Sequence, residues 1–125
     1  MSEKLFAIQH GTLVLEESYI NDGTLVVKDG VITALGPGDS VEVPEGAKVF
    51  DAQGRYIGPG FIDIHTHAGN GMFYYEHPRE AAAYMLRHGT TSLLPTLYYD
   101  LSVEGYVEAI RLLNGCMDDG TCPNM

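Results

Sequence analysis

Apolar and polar positions along this chain follow two different rhythms. Residues 4–9 and 12–15 (Thr-Leu-Val-Leu) are short β-prone runs separated by Gly11, and they predict two strands, or one strand with a bulge. Thr24–Lys28 and Val31–Leu35 flank Asp29-Gly30, a dipeptide suited to the positive φ angles of a two-residue type I′ turn, so this stretch predicts a β-hairpin. Gly36-Pro37-Gly38-Asp39 closes the hairpin. Turns at Pro44-Glu45-Gly46 and around Gln53-Gly54 bracket a further run, Lys48–Asp51. Residues 1–57 therefore read as a turn-rich β unit, too small to bury much by itself.

From Pro59-Gly60 onward the rhythm changes. Phe61, Ile62 and Ile64 are bulky or β-branched, as suits a strand covered on both sides. Gly69-Asn70-Gly71 makes a flexible loop. Pro78 suits the first turn of a helix running to about His88, and Gly89 sits where a helix stop is wanted. Within that helix Ala82, Met85, Leu86 and Gly89 recur at helical spacing and predict the face that lies on a sheet. Thr90–Leu97 predicts a second buried strand whose regular ladder ends near Leu94, because Pro95 has no N–H to donate. A second helix follows, capped by Ser102, with Val103, Tyr106, Val107, Ile110 and Leu113 on one stripe and Asn114-Gly115 as its stop.

Strand, helix, strand, helix is the pattern of βαβ units with a parallel sheet, so residues 58–125 predict an α/β fold. A (β/α)8 barrel needs eight such units and about 250 residues. Two units amount to its first quarter, and a two-stranded parallel sheet standing alone would leave open edges and bare apolar surface. The expectation is either a part of a larger chain or a piece that associates, as a homo-oligomer or with another chain.

Composition narrows the partners. With 125 residues, 45% of them apolar, the chain is long enough for a folded core. Seven basic against 17 acidic residues give a formal net charge of −10, which argues against nucleic acid or an anionic membrane surface as partner. No apolar run approaches the ~18 residues of a membrane-spanning helix, and Met1-Ser2-Glu3-Lys4 lacks the basic-then-apolar pattern of a signal peptide, so a cytoplasmic location is expected. Cys116 and Cys122 are spaced too widely for a Cys-x2-Cys motif and are expected to be free thiols.

Candidate chemistry centres on His65 and His67. On a strand they share one face, roughly 7 Å apart at Cα, and two adjacent imidazoles suit a divalent metal ion. A bare His-x-His pair is more often a solvated strand face than a ligand set. Asp63 falls on the same face and needs either a place in the same site or another partner. His10, His77 and His88 are weaker candidates, lying in the leader, just before the first helix and at that helix's end. The backbone of Gly69 and Asn70 offers amides to a substrate, and Met72, Phe73, Tyr74 and Tyr75 with Tyr98-Tyr99 offer aromatic walls.

Pro59-Gly60-Phe61-Ile62-Asp63-Ile64-His65-Thr66-His67, after a β-rich leader, closely resembles the start of the catalytic barrel in the amidohydrolase superfamily of metal-dependent hydrolases. Gly89-Thr90-Thr91-Ser92-Leu93-Leu94-Pro95-Thr96 resembles the second-strand motif of N-acetylglucosamine-6-phosphate deacetylases. The resemblance implies that residues 1–57 are the β-rich half of a composite β-sandwich and residues 58–125 the first two βα units of a TIM-like metal-dependent hydrolase barrel. It also implies His65 and His67 as ligands of one or two divalent ions, zinc first and iron, cobalt or manganese as alternatives. Gly69, Asn70 and Thr96 are the candidate substrate contacts, although the loop Ala68-Gly69-Asn70-Gly71 departs from the family's His-Gly-Gly pattern. The implied reaction is hydrolysis of a C–N bond, with deacetylation of N-acetylglucosamine 6-phosphate or a related N-acetyl amino sugar foremost and a cyclic amidase or deaminase as the alternative. The family's further ligands, in a Glu-Gly-Pro motif and later histidines, and its catalytic aspartate have no counterpart in these residues. The catalytic base is therefore expected beyond Met125, and the 125 residues alone are expected to be inactive, at most a metal-binding or association module.

Overall fold

The computed structural model describes residues 4–125; the first three residues, on which part of the signal-peptide reading rests, lie outside the described residues. The chain divides into two compact units, Met1–Pro59 and Gly60–Met125.

The first unit is one five-stranded sheet. Strand β1 (Leu5–Val14) lies in its middle, paired antiparallel with β2 (Tyr19–Lys28), which pairs antiparallel with β3 (Val31–Pro37). On its other side β1 runs parallel to β4 (Lys48–Asp51) and then to β5 (Tyr56–Ile57). The two runs on either side of Gly11 are thus a single strand with register shifts at Gly11, where His10 takes a φ of 57°. Gly11 leaves room for the Ile57 side chain, which a Cβ there would force to shift. The predicted hairpin is present, with Asp29 and Gly30 at φ 50° and 83°, the left-handed pair that a type I′ turn requires. Strand β2 begins five residues before the predicted run, and β3 carries on through Gly36-Pro37 into a short 3-10 turn at Gly38–Ser40. Among this unit's described residues, Ala7, Leu13, Thr24, Val26 and Val27 are the buried ones other than glycine, while Val31, Ile32, Val49, Phe50 and Tyr56 stay exposed.

The second unit is a parallel pair, β6 (Phe61–Thr66) and β7 (Thr90–Pro95), joined by helix α1 (Pro78–Arg87) and followed by helix α2 (Val103–Asp118). Gly60 immediately precedes β6, where a Cβ would collide with the Thr91 side chain. Pairing reaches Thr66 opposite Pro95 and is irregular after Asp63, so the ladder runs one residue past the predicted end at Leu94. Proline is tolerated because it is the last residue of the strand and the next donor, Thr96 N–H, bonds Thr66 O at 2.8 Å.

Both helices bury only part of the face that periodicity predicts: Ala82 with Met85 against the core in α1, and Leu113 with half-buried Tyr106 in α2. In α1 the buried residues are Pro78, Ala81 and Ala82, and Leu86 is exposed. In α2 they are Ala109, Leu113 and Cys116, while Val103, Val107 and Ile110 are exposed. These helices are apolar on more than one side, so spacing alone offers two faces; the small Ala81, Ala82 and Ala109 permit close approach, and the bulkier stripe is left bare. The predicted stop at Asn114-Gly115 does not end α2, which continues to Asp118, since packing of Leu113 and Cys116 outweighs the propensity cost of one interior glycine, about 1 kcal/mol. Ser102 caps α2 as expected, its side chain accepting from Gly105 N–H at 3.0 Å. Among the described residues no helix is long and apolar enough to cross a membrane.

Candidate metal centre

Strand β6 carries His65 as its penultimate residue, and His67 follows one residue past its end. The two imidazole rings are brought together, with centroids 5.5 Å apart and planes at 80°. Strand alternation by itself would put them side by side; what orients them is the neighbouring backbone.

His67 Nδ1 lies 3.0 Å from Thr96 O, at the end of β7. A carbonyl only accepts, so Nδ1 carries the proton and Nε2 keeps its lone pair free, the arrangement found in metal-ligating histidines. Thr96 N–H in turn donates to Thr66 O at 2.8 Å, so one residue at the tip of β7 fastens both the strand and the ring. Asp63 has a local partner: its Oδ1 accepts the N–H of His65 at 3.1 Å, which fits the irregular pairing of β6 beyond that point. Thr66, buried between the histidines, accepts Ala68 N–H at 3.2 Å and starts the loop.

That loop places Ala68, Asn70 and Gly71 at φ 71°, 58° and 71°. Gly69 lies against Tyr84, where a Cβ would be 3.0 Å from the ring. An aromatic chain leads away from His67: Tyr98 meets its ring at 5.3 Å, Phe73 meets Tyr98 at 5.6 Å, and Phe73 stacks on Tyr75 at 5.2 Å. Tyr74 is buried in the core cluster with Ala81, Leu93 and Leu113 rather than lining this side. Burial pushes its phenol above the ordinary value, with the Thr66 hydroxyl acting the other way and the Asp63 carboxylate adding to the rise.

The remaining candidates sit elsewhere. His77 stands at the N-terminal boundary of α1 with no side-chain cap bond and is exposed, and His88 bonds Tyr84 O through Nδ1 at 2.8 Å while packing on the Tyr84 ring. His10 faces Asp22 at 3.1 Å on the first unit's sheet. Among the described residues no third His, Cys, Asp or Glu completes a metal-binding group with His65 and His67. The donor set therefore fits part of a divalent-ion site: two imidazoles, one with its tautomer held, against the three protein ligands usual for a catalytic ion. Sequence reasoning found the pair but missed the Thr96 carbonyl, because a backbone group leaves no signal in residue type.

Comparison with known proteins adds to this geometry. No family model matches the chain. It is 35% identical over 89 residues to an adenine deaminase of Paracoccus denitrificans, covering 71% of this chain and 14% of that protein. An adenine deaminase of Desulforamulus reducens is 37% identical over 95 residues, covering 76% of this chain and 15% of that protein. Among solved structures, the N-acetylglucosamine-6-phosphate deacetylase from Pasteurella multocida superposes with a TM-score of 0.71 at 25% identity, over 91% of this chain and 31% of that one. These likenesses place the chain in the amidohydrolase superfamily. It spans about 15% of the length of the curated deaminases that it matches.

Proposed function

We propose that this chain is part of a metal-dependent hydrolase of C–N bonds, in which residues 1–57 belong to a β-rich domain and residues 58–125 supply the first two βα units of a (β/α)8 barrel. The exposed apolar residues of β6, Phe61, Ile62 and Ile64, favour this reading, since in a barrel further elements would cover them. His65 and His67 hold the divalent ion, zinc foremost, at the C-terminal end of β6, where barrel enzymes keep their chemistry. When bound, such an ion supplies a water acidic enough to deprotonate near neutral pH and a Lewis acid for the carbon under attack.

The chain's own residues prepare that site. Thr96 O keeps the His67 proton on Nδ1, Asp63 holds the backbone of His65, and Tyr98, backed by Phe73, packs against the His67 ring. The Gly69-Asn70 segment borders the same loop and offers its backbone to a small-molecule substrate.

The substrate we favour is a purine-type base losing an exocyclic amine as ammonia. The observation that carries it is the 35–37% identity to adenine deaminases over about three quarters of the chain. A second reading, deacetylation of an N-acetyl amino sugar phosphate, draws on the superposition at TM-score 0.71 and on the Gly89–Thr96 motif. The full-length protein, loaded with zinc, is offered adenine and N-acetylglucosamine 6-phosphate in parallel. Ammonia release supports the first reading and acetate release the second; neither product, with metal bound, removes both. In the same protein, His65→Ala and His67→Ala should each lower metal content and abolish turnover, and unchanged metal in both variants rejects the pair as ligands.

A further inference from the structure

Two sulfurs that the metal centre does not use lie together where α2 ends. Gly120, at φ 70°, lets Thr121 N–H donate to Cys116 O at 3.1 Å and its own N–H donate to Met117 O at 3.2 Å, the paired bonds of a Schellman cap. The chain reverses there, and Cys122 N–H reaches the same Cys116 O at 3.3 Å. With standard backbone bond lengths added to that hydrogen bond, the two Cα atoms lie no more than about 7.5 Å apart, a bound that includes the roughly 4.4–6.8 Å span of disulfides. Both side chains are buried, at 0% and 2% exposure, in one apolar cluster with Ala82. Burial pushes the Cys122 thiol up, and the neighbouring Cys116 sulfur adds to the rise. Both cysteines are free thiols in this structure.

The segment after Cys122 is anchored across the second unit. Leu93 N–H of β7 donates to Asn124 O at 2.7 Å, and the Asn124 side-chain amide donates to Ala82 O of α1 at 3.0 Å and to Thr90 O at 3.2 Å. A covalent link from Cys116 to Cys122 would therefore tie the end of α2 to a segment that bridges α1 and β7.

We propose that Cys116 and Cys122 are a modification site, a dithiol that a low-molecular-weight disulfide oxidises to an intramolecular disulfide, pinning residues 122–125 against β7. One cysteine, as its thiolate, attacks the small disulfide, forming a mixed disulfide and releasing one thiol. The second cysteine then attacks the protein sulfur of that mixed bond and expels the second thiol. Two S–H bonds are lost and one S–S bond forms; the two electrons and two protons leave on the two small thiols. Because both sulfurs are buried, the first attack waits on local opening of the segment, which makes the site slow while that segment is seated.

The full chain, incubated with excess oxidised glutathione and quenched in acid, tests this by intact mass, peptide mapping and hydrogen exchange. The expected product lacks the mass of two hydrogens, yields a linked Cys116–Cys122 peptide, and exchanges the Leu93 amide about tenfold more slowly than the reduced chain. Cys116→Ala should instead stop at one glutathione adduct on Cys122, with Leu93 exchange not slowed. Two thiols still titratable after unfolding, glutathione adducts without an internal bond, disulfide-linked dimers, or unchanged Leu93 exchange in the oxidised wild type would each overturn the proposal.

Discussion

The sheets of the two units are held in register by different means. In the first, β2 and β3 are joined by two residues, Asp29 and Gly30, and their pairing begins at Lys28 opposite Val31, so the turn dictates the register. In the second, Phe61 pairs with Thr90 only after the loop and α1 have intervened, and nothing local sets that alignment. There the register depends on what packs against it: Leu93 under Ala81 and Leu113, and Gly60 leaving room for Thr91. The candidate metal centre belongs to the second kind, since the His67 ring is oriented by Thr96, just past the end of the other strand. A site built on a non-local pair is only as exact as the packing beneath it.

Core truncation is the severest way to sharpen that contrast. Leu93→Ala removes a buried side chain from the cluster of Tyr74, Ala81 and Leu113 and should cost about 3 kcal/mol in a urea titration. A cost below that of the turn substitution in the other unit would break the comparison.

That turn substitution, Gly30→Ala, introduces a Cβ at φ 83° where no atom lies within 4 Å, so its cost is backbone strain alone, about 1 kcal/mol. Stability equal to wild type would mean that the hairpin register is set by side-chain packing after all.

The mildest effect is electrostatic. Thr121, by its hydroxyl and its N–H, and then Arg79 hold the Asp119 carboxyl below its ordinary range. A depressed folded value means stability that is complete above the ordinary carboxylate range and lost as the pH falls through the depressed one. Acid titration of the wild type against Asp119→Asn should show this small extra loss only in the wild type; parallel curves would rule out an electrostatic tie between α1 and the end of α2.

Elements whose cause is short-range were legible in the sequence. The Asp29-Gly30 hairpin, the Ser102 cap, the Pro78 start and the Phe61–Thr66 strand stand where residue type and spacing indicate, although the strand ends one residue short of His67. Failures came where tertiary contact outweighs local preference. Asn114-Gly115 reads as a helix stop but lies inside α2, and the stripe Val103, Val107, Ile110 reads as core but is exposed. The tail after Cys116 offers no usable period, yet Asn124 bonds both α1 and β7.

By itself the sequence determined the change of regime near Gly60, the strand that carries His65 and ends just before His67, and the acidity that disfavours nucleic acid, because each follows from composition or from neighbours a few residues apart. Tertiary structure alone decided which helix faces are buried, which carbonyl holds the His67 proton on Nδ1, and that Cys116 and Cys122 meet. Those outcomes depend on groups remote in sequence, on backbone atoms that every residue shares, or on a chain reversal whose partners no residue spacing names.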